Sequence, residues 1–345
     1  MSASFPEEMY TYDGWLVFNG LFSVDVKDED ETPEDLVSGL SQYTEPDPGV
    51  ESRGFERAEF DDLLQTTGDL TWNLQRLGDR LYSFNYKHTR WDTQSGFDRN
   101  TGSKRTIQKK KEDGVEIHWD SREDLMVFRG QKAELAKNRR RLRGGLSEKV
   151  ELEELNFHHD FLLWILYRTF NGQGLNSELS IREVSTVGTT SDSIDNTGQG
   201  VTIEDSKNVL RSVPAIIAIL DQKKPEKLKC QFVLDNQVVK AKIEQGGKVH
   251  VTVTDNELEE LSHLRRMAVS LQFIFELIHQ YDIWRNLPST QKYPPESFFY
   301  DLAKRAEEEG YEYQGQLRRV PEEYKRKRQR QPVDDDMREP GKDAT

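Results

Sequence analysis

The chain has 345 residues, a formal net charge of -14, 34% hydrophobic residues and 32% charged ones. Its length exceeds that of a single hydrophobic core and predicts two, while the acidic balance excludes binding of phosphate polymers by bulk charge. Such a polymer can be held only where cations concentrate within about one Debye length, roughly 8 Å at physiological salt.

The single cysteine, Cys230, rules out an intramolecular disulfide and a zinc site built on several thiolates; its place in an alternating apolar run predicts burial. Met1 to Tyr12 carries Glu7 and Glu8 rather than a basic-then-apolar leader. The longest apolar run, Phe161 to Tyr167, is far below the ~20 residues of a membrane span. The sequence therefore predicts a cytoplasmic protein with no membrane partner.

In chain order, Met9 to Phe22 reads as a strand pair, or one strand interrupted at the turn dipeptide Asn19-Gly20. Thr32-Pro33-Glu34-Asp35 supplies a cap hydroxyl, a proline and first-turn acids, which start a short helix reaching Leu40. Leu70, Trp72 and Leu74 alternate, as do Tyr82, Phe84 and Tyr86, which predicts a hairpin turning at Gly78-Asp79. Asp92 to Glu112 is polar with two glycines and reads as a long exposed loop. Val115 to Trp119 and Leu125 to Arg129 predict a second hairpin, and Gln131 to Arg143 a basic helix stopped by Gly144-Gly145.

Leu155 to Phe170 is apolar on nearly all sides and predicts a buried helix joining two halves. Leu179 to Val184 follows as a strand, Thr186 to Gly200 as a loop, and Asp205 to Leu220 as a helix interrupted at Pro214. Three alternating runs between Leu228 and Val253, separated by Asp235-Asn236 and Gly246-Gly247, predict a meander. Thr254 and Glu257 have capping-box spacing ahead of a stripe running from Leu258 to Ile278. A last helix covers Pro295 to Glu309, and residues 313–345 read as a disordered tail of mixed charge. The fold class expected is α+β: two antiparallel-sheet units, 1–150 and 151–312, each followed by a packed helix, with a degenerate repeat as one account of their likeness.

No motif specifies a reaction, and no cofactor or metal is expected. Gly144-Gly145, Gly172-Gln173-Gly174 and Gly198-Gln199-Gly200 lack both the Lys-Ser/Thr of a phosphate loop and the context of a dinucleotide fingerprint. The serines of Ser185 to Ser193 lack a nucleophile elbow. His158 and His159 are adjacent, so on a helix they diverge by about a hundred degrees, unlike a stacked i, i+4 metal pair.

What remains is basic clustering: Lys104, Arg105, Lys109, Lys110 and Lys111; then Lys137, Arg139, Arg140, Arg141 and Arg143; and finally Lys325 to Arg330. Lys137, Arg140 and Arg141 share a helical face, and Arg90, Lys87 and Trp91 extend the first group. The leading expectation is a non-enzymatic, regulatory protein binding DNA or RNA through that helix and the neighbouring loop. A second reading is a metal-dependent nucleic-acid-processing or phage-defence enzyme built on His118, Asp120, Asp124, His158, His159 and Asp160. A third is an acidic protein-protein interaction scaffold in which the Arg helix docks on an acidic partner.

Overall fold

In the computed structural model, the residues described are 14–28, 32–58, 60, 72–97, 102–130, 144–146, 149–190, 201–203, 208–254, 263–311 and 319–330. The fold is α+β, with antiparallel strands and α-helices. The chain divides into two units: Met1–Leu155 with Leu261–Gln272, and Asn156–Glu260 with Phe273–Thr345.

The first unit holds β1 (Leu16–Val26), α1 (Pro33–Ser38), β2 (Ser52–Arg57), α2 (Trp72–Gly78), β3 (Leu81–Phe97), β4 (Lys104–Asp120), β5 (Leu125–Arg129) and β6 (Val150–Glu154). Its strands are ordered β2-β3-β4-β5-β1, and β6 pairs with β1. One face buries Phe22, Phe55, Phe84, Tyr86, Ile117, Trp119 and Phe128 under Leu36 of α1. Burial of each such side chain stabilises by roughly 1.5 to 3 kcal/mol. Thr32 caps α1 as its sequence predicts, its hydroxyl accepting from the Asp35 N–H at 3.2 Å.

Three readings of this unit need correction. β1 runs unbroken through Asn19-Gly20, which lies at a register irregularity opposite β5 instead of in a turn. The first strand of the expected hairpin is helix α2, because the burial that matters is Leu74 with Leu77 one turn apart, not alternation. The true partner of β3 is β4, and the expected loop at 92–112 is part of their shared ladder, joined from Leu81↔Asp120 to Phe97↔Lys104. The β4–β5 hairpin does form, closing at Asp120↔Leu125. Gln131 to Arg143 lies outside the described residues.

The second unit contains α3 (His159–Phe170), β7 (Leu179–Thr190), β8 (Val201–Ile203), a 3-10 turn (Val209–Arg211), α4 (Val213–Leu220), β9 (Lys224–Leu234), β10 (Gln237–Glu244) and β11 (Lys248–Thr254). It also holds most of α5 (His263–Asn286), then α6 (Ser289–Lys292), α7 (Glu296–Glu308) and α8 (Arg319–Gln329). Strand order is β11-β10-β9-β7-β8. The meander forms as predicted, with Ala241 opposite both Cys230 and Val251. Asp235 and Asn236 adopt φ of 48° and 65°, as a tight hairpin turn demands. Cys230 is buried, and burial pushes its thiol pKa up.

Helix α3 lies on β9 and β7, burying Phe161 to Leu166, and Phe232 meets Phe273 of α5 at 5.0 Å between ring centroids. Pro214 does not break α4; it occupies the first turn, where its missing N–H costs nothing. Thr254 ends β11, and its capping partner Glu257 lies outside the described residues. Residues 319–330 depart from the expected disordered tail: Val320 and Tyr324 of α8 are buried, four residues apart on one face. That narrow stripe anchors a helix whose remaining residues are mostly charged.

Candidate nucleic-acid interface

The paired segment Arg90↔Lys111 to Phe97↔Lys104 is a two-stranded ribbon, since β2 stops pairing with β3 at Thr89 and β5 stops pairing with β4 at Glu116. Eight residues at about 3.3 Å each give a ribbon of roughly 26 Å. Its base is braced by residues 43–50: Tyr43 Oη lies 2.7 Å from Thr89 Oγ1, and Trp91 Nε1 donates to the Val50 carbonyl at 2.9 Å. Residues 41–43 zip onto β2, where the Phe55 N–H donates to the Ser41 carbonyl at 2.7 Å. Only glycine fits at 54, because a Cβ there would lie 2.6 Å from the Tyr43 nitrogen.

On this ribbon stand Arg90, Lys104, Arg105, Lys109, Lys110 and Lys111 against one carboxylate of its own, Asp92. Directly paired residues share a face. Arg105, Lys109 and Lys111 therefore share one face with Arg90 and Ile107, while Lys104 and Lys110 share the other with Phe97 and Trp91. Phe97 and Ile107 are 75% and 59% exposed. Lys110 pairs with Glu112 and Glu45, whose hydrogen bonds raise its pKa, and Lys111 pairs with Asp92. Lys104 and Lys109 have no ion-pair partner among the described residues. Lys137, Arg139, Arg140, Arg141 and Arg143 lie outside them.

The acids and histidines singled out from sequence have specific partners. Asp120 ties a turn: Oδ1 accepts from the Arg122 and Glu123 N–H groups at 3.1 and 3.3 Å, and Arg80 Nε lies 3.0 Å from Oδ2. Burial pushes its carboxyl pKa up in spite of Arg80. His118 Nδ1 lies 2.8 Å from Ser83 Oγ, and its Nε2 lies 2.8 Å from Glu116 Oε1. Glu116 in turn accepts from Arg129 Nε at 2.8 Å. Ser83 escaped sequence reasoning because it enters only through the cross-strand pair Ser83↔His118. The order Ser-His-Glu is that of a hydrolase triad, but Ser83 and His118 are buried and Phe60 packs edge-on against the imidazole. The chain Ser83-His118-Glu116-Arg129 links β3, β4 and β5 through side-chain hydrogen bonds.

His158 and His159 do not diverge as adjacent helical residues would. His158 is the N-cap of α3, with extended backbone, and the two ring centroids lie 4.0 Å apart. Its Nδ1 accepts from the Asp160 N–H at 3.1 Å. Asp160 is buried and receives Lys327 Nζ at 2.9 Å on Oδ2 and Tyr324 Oη at 2.5 Å on Oδ1. No protein-family model matches this sequence, and no curated protein matches it either.

Proposed function

We propose that this protein binds double-stranded DNA through the β3–β4 ribbon. The observation that carries the reading is six cations against one carboxylate on the paired segments 90–97 and 104–111 of a chain whose net charge is -14. Local concentration of this kind is what lets an acidic protein approach phosphate. A two-stranded ribbon also has the cross-section that the major groove admits, a groove about 12 Å wide. The pairs with Glu45, Glu112 and Asp92 are solvent-facing and screened, so phosphates exchange with those carboxylates at small cost. Phe97 and Ile107, exposed among cations, supply apolar contact to thymine methyls or sugars. The role is recognition without chemistry, and the affinity is mostly electrostatic.

Fluorescence anisotropy of a labelled duplex titrated with the full chain tests this at low salt. Saturable binding is expected, and a Lys104→Ala/Arg105→Ala/Lys109→Ala variant weakens it at least tenfold. Equal affinity for wild type and variant overturns the reading.

A further inference from the structure

We infer that the second unit carries a separate pocket for a phosphate monoester, independent of the ribbon. A cavity of about 380 Å³ is lined by Lys224, Arg285, Lys292, Lys327 and Arg330, with Asp160 and Glu323 as its only carboxylates among the described residues. Its size falls within the range of small-molecule sites, about 300 to 1,000 Å³, and admits a ligand as large as a mononucleotide.

The cations are positioned by the fold. Lys292 Nζ donates to the Arg285 carbonyl at 3.0 Å and stands 4.9 Å from the centroid of the buried Trp284 ring, whose Nε1 donates to the Lys292 carbonyl. That reciprocal link fixes the turn between α5 and α6, and with it the ammonium of Lys292. Lys327 is fixed by Asp160 and by Glu323. The imidazoles add neutral donors. Burial pushes the His159 pKa down to about 4, and burial with Lys327 and Lys292 nearby also lowers that of His158. Because His158 Nδ1 accepts from the Asp160 N–H, the neutral ring carries its proton on Nε2, a donor suited to a phosphate oxygen.

The same residues offer a competing use. Single ligand atoms of His158, His159 and Asp160 all lie within 4.8 Å of one another, a spacing that a divalent cation can bridge. Charge decides between the two ligands. A metal ion would have to displace the ammonium of Lys327 from Asp160 and then sit beside Lys224 and Lys292, whereas an anion gains from every one of those groups. Phosphate is therefore the ligand the pocket favours, and the buried Asp160 serves to hold Lys327 in place.

Isothermal titration of the full chain with inorganic phosphate, a nucleoside 5′-monophosphate, the unphosphorylated nucleoside and Zn²⁺ alone tests this. The monophosphate should bind and the nucleoside should not. Arg285→Ala, a change at an exposed position, should weaken the monophosphate about tenfold with an unchanged unfolding midpoint, and Lys292→Ala should weaken it to a similar extent. The ribbon variant Lys104→Ala/Arg105→Ala/Lys109→Ala should bind the monophosphate normally, which separates this site from the proposed DNA contact. Comparing 5′-phosphorylated with 5′-hydroxyl oligonucleotides distinguishes a nucleic-acid end from a free small molecule as the source of the phosphate. The inference is overturned by absence of binding at millimolar monophosphate, by binding that Arg285→Ala and Lys292→Ala leave unaltered, or by Zn²⁺ binding that His159→Ala abolishes while phosphate does not bind.

Discussion

Lys327, on α8, places its Nζ 2.9 Å from Oδ2 and 3.2 Å from Oδ1 of Asp160, a carboxylate 1% exposed at the start of α3. The pair ties α8 to a residue 167 positions earlier. Removing one partner of a buried pair leaves an uncompensated charge, which costs about 3 to 5 kcal/mol. Lys327→Met should therefore lower stability by that order in chemical denaturation. Asp160→Asn/Lys327→Met should be less destabilised than the single variant, and additive losses would show that the pair is not coupled.

A pH effect follows from Glu116. Burial alone would raise its pKa, but the hydrogen bond with His118 and the Arg129 guanidinium hold it at about 2 against an ordinary 4.5. A depressed carboxyl contributes stability that is present above about 4.5 and lost as pH falls towards 2. The shift corresponds to about 3 kcal/mol. Unfolding midpoints measured across that window should fall steeply for wild type and more gently for Glu116→Gln. Parallel curves would remove Glu116 from the account.

The ribbon residues Phe97 and Ile107 touch too little of the protein to stabilise it. Phe97→Ser and Ile107→Ser should each alter unfolding free energy by less than about 0.5 kcal/mol, yet weaken duplex binding several-fold. Anisotropy paired with denaturation reads both quantities on the same preparations. Loss of stability with unchanged binding would make these side chains structural.

Parts of this fold are legible in the residues because alternation and turn chemistry agree. Within each strand between Leu228 and Val253 every second residue is apolar, and Asp235-Asn236 and Gly246-Gly247 occupy the bends, so the meander follows directly. The ribbon from Arg90 to Lys111 was hidden for the opposite reason. Neither of its faces is buried, so period-two hydrophobicity never arises, and only the backbone ladder reveals it as sheet. Helix α2 is short enough that Trp72 and Leu74 imitate a strand. In α8, the stripe of Val320 and Tyr324 is outnumbered by charges, which made a packed helix resemble a solvated tail.

Site residues divide in the same way. The clustered cations at 104–111 are visible in sequence, but their pairing with Arg90 and Trp91 depends on strand register. The phosphate-pocket cations come from residues as far apart as Lys224 and Arg330, so spacing along the chain carries no trace of their convergence.

The salt dependence of duplex binding addresses the proposed DNA contact most directly. Each phosphate neutralised contributes about -0.9 to the slope of log affinity against log salt. Wild type should show a slope of roughly -3 or steeper, and removing Lys104, Arg105 and Lys109 together should flatten it by about 2 to 3. A wild-type slope near zero, or one that the triple variant leaves unchanged, would contradict a ribbon that binds DNA through its phosphates.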